Sequence, residues 1–356
     1  LYHFGGLRSV LPTELLDRID FYPGNFSAQY GRGMGGIIDV GLRAPDTSCK
    51  GPYGKATDKK GCFNGIASLD LLEGRLLLQG PLPIKGWTFA VGARRSWVDT
   101  WLGPVLRESG ANIRTLPVYY DWQFIAETKP SRDSRLSLRF IGNDDRFAAV
   151  VDPVAEEPAI SGNLQFAQTN WTIQGLYEDQ LSRAVNTRVM TSYSRSSLVF
   201  GIGTFAFNLV FHPIQYRHEF GWKLASGVKL NAGLDVEALP YDIYVKSPPP
   251  PLPGQANSGP FVSRQPLVDS ESLTGLRQAV YVDAELQPTD RWRIVPGFRL
   301  DYARDTRSVD PNPRINSRYD IVKGGTSPEG IWRPRTTVKG GIGEYTQPPQ
   351  FDQTNA

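Results

Sequence analysis

The stretch "VKLNAGLDVEA", Val228 to Ala238, decides the fold. Val228, Leu230, Ala232, Leu234, Val236 and Ala238 fall on one side, and Lys229, Asn231, Gly233, Asp235 and Glu237 on the other. Successive side chains of an extended chain point to opposite faces, so this is a strand with one apolar and one charged face. The same period recurs in both directions along the chain. Trp292, Ile294, Pro296, Phe298, Leu300 and Tyr302 oppose Arg291, Arg293, Val295, Gly297, Arg299 and Asp301. Leu136, Leu138 and Phe140 oppose Arg135, Ser137 and Arg139, and Tyr120, Trp122, Phe124 and Ala126 oppose Asp121, Gln123 and Glu127.

A soluble sandwich alternates too, so the medium has to be read from other features. The alternating runs are about 9–15 residues long, where soluble strands average about 5–6 and a tilted membrane strand needs about 9–11. Trp87, Trp122, Trp171, Trp222 and Trp292 sit toward strand ends on the apolar face, as an interfacial girdle would. The polar face carries full charges strand after strand, which suits a wet or plugged lumen. Short turns near 81–86, 129–133, 179–185, 225–227, 288–290 and 333–334 alternate with longer loops at about 99–117, 143–162, 247–273 and 305–325. Outer-membrane barrels sort their connections this way. The expected fold is therefore an all-β, antiparallel transmembrane barrel, with about thirteen strands legible from Phe63 onward.

The totals agree with that class. The 356 residues hold 36 glycines and 28 prolines, and Lys plus Arg (39) nearly balances Asp plus Glu (36), which gives no sign of a nucleic-acid partner. No run of 18 apolar residues is present, and the mean hydropathy of −0.33 is compatible with strands that are apolar only at every second position. Cys49 and Cys62 bracket a 12-residue loop that can close as a disulfide in an oxidising compartment; metal binding is the rival reading, weak without neighbouring ligands.

The segment before the strands is different. "RIDFYPGNFSAQYGRGMGGIIDVGLR", Arg18 to Arg43, begins and ends as strand but breaks between into Gly24, Gly31, Gly33, Gly35 and Gly36. Glycine at this density supplies unusual backbone angles or allows another surface to approach closely. With the alternating strands that follow, the stretch resembles the last part of the plug domain of TonB-dependent outer-membrane receptors. Arg18-Ile19-Asp20-Phe21 matches the first plug strand, Tyr30-Gly31 the aromatic-glycine pair, and Gly35-Gly36-Ile37-Ile38-Asp39-Val40 the strand that runs into the barrel. Where the family often has Arg-Gly-Pro in the turn, this chain has Tyr22-Pro23-Gly24.

The resemblance implies residues 1–45 as the end of a plug, 46–62 as a linker, and 63–356 as the first part of a barrel that in the family has about 22 strands. It implies a piece of a longer protein in the bacterial outer membrane, in contact with lipid and with an inner-membrane TonB-type energy transducer. Plug arginines of the family pair with barrel glutamates, so Arg18 and Arg32 are candidates to lock onto Glu73 or Glu127; solvated side chains are the alternative for each. Gly31, Gly33, Gly35 and Gly36, with Arg32 among them, are expected to let the plug turn close to the wall.

Catalytic and cofactor chemistry has no signature here. There is no GxSxG, Walker, HExxH or CxxC motif. His212 and His218 fall on the apolar row and read as packing residues. Asn143–Arg146 and Glu156–Glu157 are expected as solvated charge in an external loop. Import of a scarce extracellular ligand is the leading function; the family's ligands include metal chelates, vitamins, glycans and peptides. A scaffold for a surface or periplasmic protein is the rival, suggested by the apolar hairpin Val199–Phe211 and the rigid "SPPPPLPG" at 247–254.

Overall fold

The computed structural model describes residues 2–3, 8–50, 56–108, 115–151, 162–203, 205–247, 266–322, 324–326, 332–333 and 335–347. Three small antiparallel pairs come first: β1 (Tyr2–His3) with β2 (Arg8–Ser9), β3 (Leu16–Tyr22) with β4 (Ile37–Leu42), and β5 (Ser48–Lys50) with β6 (Ala56–Lys60). The last hairpin occupies the expected linker and is closed by a Cys49–Cys62 disulfide. A cross-link over a separation of 13 residues should add about 2–4 kcal/mol of local stability. Reduction should therefore expose this hairpin to protease at a lower urea concentration, while the sheet that follows stays folded.

One large antiparallel sheet makes up the rest. Its strands are β7 (Asn64–Leu69), β8 (Glu73–Pro81), β9 (Trp87–Ser96), β10 (Thr115–Thr128), β11 (Ser134–Val151), β12 (Gly162–Asp179), β13 (Val185–Ile202), β14 (Phe205–Phe211), β15 (Ile214–Ala225), β16 (Val228–Ser247), β17 (Leu267–Thr289), β18 (Trp292–Ala303) and β19 (Ser308–Val322). After a short pair, β20 (Gly325–Thr326) with β21 (Trp332–Arg333), β22 (Thr336–Gly343) joins β19. Neighbours in sequence are neighbours in the sheet, except that β14 and β15 share one position between β13 and β16. Their pairings keep a single register across the break. Pro213, which has no amide hydrogen to give the ladder, interrupts it there.

Alternation sorts the side chains as the sequence requires. Leu138, Phe124, Leu234, Val280 and Phe298 lie exposed on the convex face. Phe140, Trp171, Tyr193 and His212 form a chain of ring contacts on that face. His218 packs against Phe220 at a tilt, with ring centres 4.2 Å apart. The concave face buries Glu73, Asp121, Gln123, Glu127, Asp283 and Arg299.

Three expected loops turn out to be ordered structure. Residues 305–325 hold β19, entered by a tight turn in which Arg307 has φ 52°. Its prolines, Pro311 and Pro313, suggest a loop, but the register with β22 begins only at Arg314, and beyond it Pro313 accepts from Glu344 N at 2.9 Å, so neither proline is asked for a donor on that edge. The 99–117 loop contains α1 (Val98–Glu108), which ties to the sheet by Trp101 Nε1 donating to Leu71 O at 2.9 Å. Asn143–Arg146 lies inside β11, where Asp144 pairs with Arg146 on one face and Asp145 is buried on the other. Glu156–Glu157 and residues 248–254 of the proline-rich run lie outside the described residues.

Candidate functional site

The N-terminal segment is seated against the concave face at two places, and each is built from charges that the strands present at every second position. The first grip holds residues 26–32. Arg217 of β15, Arg299 of β18 and Arg314 of β19 project inward from alternating strand positions and donate to main-chain carbonyls of this segment. Arg314 reaches Ser27 O at 3.0 Å and Tyr30 O at 2.5 Å, Arg299 reaches Gln29 O at 3.5 Å, and Arg217 also donates to Gln29 O. Arg314 also lies 5.1 Å from the Phe26 ring centre and 4.3 Å from that of Tyr345. Phe26 and Ala28 are buried in the contact.

Charge runs the other way through Arg32. Its guanidinium meets Asp235 at 3.1 Å, Glu237 at 3.4 Å and Asp301 at 4.0 Å, all on the sheet. Its φ of 58° is the left-handed conformation, which costs a non-glycine residue about 1–2 kcal/mol. Three carboxylates around one guanidinium supply the interaction that holds it there. Arg299, fully buried, shares two of them: Asp235 at 3.0 Å and Asp301 at 2.8 Å.

Of the glycines, only Gly31 lies against the wall. A Cβ there would land on the Arg299 guanidinium. A Cβ at Gly36 would instead meet its own hairpin, 3.0 Å from Phe21 and 3.1 Å from Tyr22 O, while one at Gly33 would have ordinary space and one at Gly35 nothing within 4 Å. The expectation that all four admit the wall is thus corrected to one.

The second grip holds His3 and residues 8–15 against β8 to β11. Arg8 pairs with Glu73 at 2.5 Å, and Tyr119 Oη donates to the same carboxylate at 2.5 Å. Gln123 donates to Val10 O at 2.8 Å, Arg94 donates to Ser9 O, and Glu14 pairs with Arg75 at 3.0 Å. An apolar patch continues the contact: Leu15 and Leu42 pack on Leu77, Ala90 and Ile125. Burying each such side chain contributes about 1.5–3 kcal/mol.

His3 is the centre of this grip. It is fully buried, stacked on Tyr119 at 4.2 Å, with Nδ1 2.5 Å from Asp145 and Nε2 3.0 Å from Asp121. Ionised carboxylates only accept, so this pair of neighbours favours the imidazolium, which can donate from both ring nitrogens, against the Arg94 guanidinium 3.4 Å from Nε2. Burial pushes its pKa down, but the hydrogen bonds and charges of Asp121 and Asp145 outweigh this and hold it above the ordinary 6.5. A raised folded-state value means stabilisation that is complete below about 6.5 and is lost as pH rises through the raised value. Arg94 and Glu73 also face this cluster. A spin label on Thr13→Cys should accordingly gain mobility as the pH is raised above the ordinary imidazole value. In the His3→Gln background the pH dependence should vanish; an unchanged profile there would remove His3 from this role.

The expected lock is redrawn by this geometry. Arg32 pairs with the sheet, but through Asp235, Glu237 and Asp301 rather than Glu73 or Glu127. Arg18 stays within its own hairpin, 2.9 Å from Asp20 and 3.5 Å from Asp39, half exposed. Glu127 pairs with Arg135 of the neighbouring strand at 2.6 Å. Glu73 does bind the N-terminal segment, through Arg8. Tyr30 donates to Asp39 at 3.2 Å and faces Arg217. Sequence reasoning missed the three wall arginines because their acceptors are main-chain carbonyls, which have no residue signature. It missed His3 because its partners lie 118 and 142 residues away.

A family model described as TonB-dependent receptor-like β-barrel matches residues 105–356. No curated protein matches this chain in sequence. Among solved structures, it resembles the siderophore receptor PirA from Pseudomonas aeruginosa at 14% identity and TM-score 0.61, over 96% of this chain and 51% of that one. The outer membrane transporter YddB from Escherichia coli is similar at 11% identity and TM-score 0.57, over 89% and 47%. A ferric enterobactin receptor mutant from Pseudomonas aeruginosa, in complex with enterobactin, is similar at 12% identity and TM-score 0.62, over 97% and 51%. The chain spans about half the length of these structures.

Proposed function

The chain belongs to the TonB-dependent receptor family, its sheet is part of an outer-membrane β-barrel, and from that premise we propose that it serves energised import of a scarce extracellular ligand through a plugged barrel. Residues 1–45 are the end of the plug, 46–62 a disulfide-closed connection and 63–356 barrel wall. The observation that carries this reading is the seating of residues 26–32. The wall holds them by their main-chain carbonyls and by one strained arginine, contacts that are strong together yet separable one at a time. Such a seat suits a segment that must stay closed at rest and be drawn aside when an inner-membrane transducer pulls on the plug. Between this seat and the short-turn end, the concave face opens into a cavity of about 510 Å³, bordered by Lys229, Glu285, Arg293 and Arg318, which gives a released ligand a polar route.

Ferric enterobactin, the cargo named for one similar structure, is a practical first probe. Cells carrying the gene should accumulate radio-iron from a panel of ferric siderophores or another ligand class in a manner abolished by gene deletion and by a protonophore. Uptake that persists after collapse of the proton gradient would overturn energised import. One of the two supports of the scaffold reading weakens, because the apolar side chains of the β13–β14 hairpin largely face the concave side.

A further inference from the structure

The register of β11 to β17 shows that the sheet reverses its polarity part-way along the strands. In β16 the convex positions run Val228, Leu230, Ala232, Leu234, Val236, Ala238 and then Pro240, Asp242, Tyr244, Lys246. The concave ones run Lys229, Asn231, Gly233, Asp235, Glu237 and then Leu239, Tyr241, Ile243, Val245. The concave assignment is fixed by Asp235 and Glu237, which hold Arg32. Unbroken pairing carries it to the neighbouring strands. Phe147, Phe166, Phe200, Phe207 and Val245 lie opposite one another in a single row across five strands. Leu198, Leu209 and Ile243 form a parallel row, and Phe211 stands opposite Tyr241 with ring centres 6.0 Å apart. The convex face at this level is mixed instead of continuously apolar: Gln165, Asn208, Asp242, Ser270 and Ser272 are exposed and polar, and Val199, Val210, Tyr244 and Val268 lie among them.

Two consequences follow physically. A convex face that carries Asp242, Asn208, Gln165 and two serines no longer suits hydrocarbon, so these strand ends stand above the bilayer; the 23 residues of β17, at about 3.3 Å each, are far longer than the crossing requires. An aromatic concave wall at that level faces the mouth of the barrel, where water would otherwise fill the space. Nothing in folding or membrane insertion asks for phenylalanine there.

The wall has a charged border of one sign. Continuing the rows into β17, Val245 is opposite Asp269 and Ile243 opposite Glu271. Both carboxylates are exposed, and neither has an ion pair or hydrogen bond among the described residues. We propose that this wall is a ligand site for a ring-bearing organic cation: its apolar rings lie on the phenylalanine rows and its positive charge faces Asp269 and Glu271. Aromatic faces also attract cations directly, so both parts of the wall select the same charge. This deepens the import reading by naming the class of molecule taken from outside, and it rests on the concave side of these strands being open to the exterior.

The test is a matched pair of soluble probes, 1-naphthylethylammonium and 1-naphthylacetate, measured by equilibrium dialysis against the full protein held in nanodiscs. Empty nanodiscs provide the subtraction. The ammonium should bind at least tenfold more tightly than the carboxylate. Phe200→Ala with Phe207→Ala should weaken it tenfold or more, and Asp269→Asn with Glu271→Gln should erase the preference for the cation. Asn208→Ala, on the convex face of the same strand, should leave binding unchanged. Heat-modifiable migration on gels identifies variants whose barrel is intact, and only those are compared. Equal binding of the two ions, preference for the carboxylate, absence of binding, or insensitivity to the phenylalanine pair would each overturn the proposal. The readout needs no transducer or proton gradient, so its failure leaves energised import standing, and failed uptake leaves this site standing.

Discussion

Gly31→Val should unseat residues 27–32 from the wall. The new side chain would occupy the place of the Arg299 guanidinium, which is fully buried and holds Asp235 at 3.0 Å and Asp301 at 2.8 Å. An arginine end is flexible in general, but this one can swing away only by leaving two carboxylates behind in a poorly solvated site. Breaking a buried pair costs about 3–5 kcal/mol, and overpacking adds about 1–3 kcal/mol. Whichever partner gives way, the seat should weaken by about 3 kcal/mol or more, roughly a hundredfold in the unseated fraction. The measurement is mobility of a spin label on Ser27→Cys together with passive entry of a small antibiotic into cells. Gly33→Val is the control, because its Cβ meets only Ile37 at 3.7 Å. Equal behaviour of the two variants would mean that close approach at Gly31 does not matter.

Arg32 should show a split between its two simplest replacements. Arg32→Ala removes the pairs with Asp235, Glu237 and Asp301 while keeping a side chain in the left-handed conformation. The loss should be near the lower end of the buried-pair range, about 3 kcal/mol, because Arg299 and Arg277 still neutralise part of the carboxylate charge. Arg32→Gly loses the same pairs but relieves the backbone, and should recover about 1 kcal/mol of the difference. The urea midpoint for release of the same spin label reads both. Identical midpoints for the two variants would deny the strain, and a wild-type midpoint for both would deny the grip.

How far the sequence reaches depends on whether the deciding interaction is periodic. Alternation in stretches such as Val228–Ala238 reports the medium on each side of a strand, and that is a local property, so the wall, its charged lumen and its outward aromatics were legible residue by residue. The aromatic-glycine pair Tyr30-Gly31 was legible as a place of close approach because a segment pressed against a sheet needs a particular local chain path, and at Gly31 a Cβ would meet the Arg299 guanidinium. Pro311 and Pro313 misled for the same local reason. A proline argues against a strand unless one knows that its edge is unpaired, and pairing is not local.

The sequence by itself determined a membrane sheet with a polar inside, a segment able to press against it, and the absence of recognisable catalytic motifs. Tertiary structure alone decided which charges meet. Arg32 finds Asp235 and Glu237 more than two hundred residues away, His3 finds Asp121 and Asp145, and the wall arginines take hold of main-chain carbonyls. The same is true of the aromatic wall at the barrel mouth, since Phe147, Phe166, Phe200 and Phe207 become one row only through strand register. A charge or a ring declares its character in the sequence, but its partner is set by long-range packing, where geometry and desolvation select one arrangement from many of similar composition.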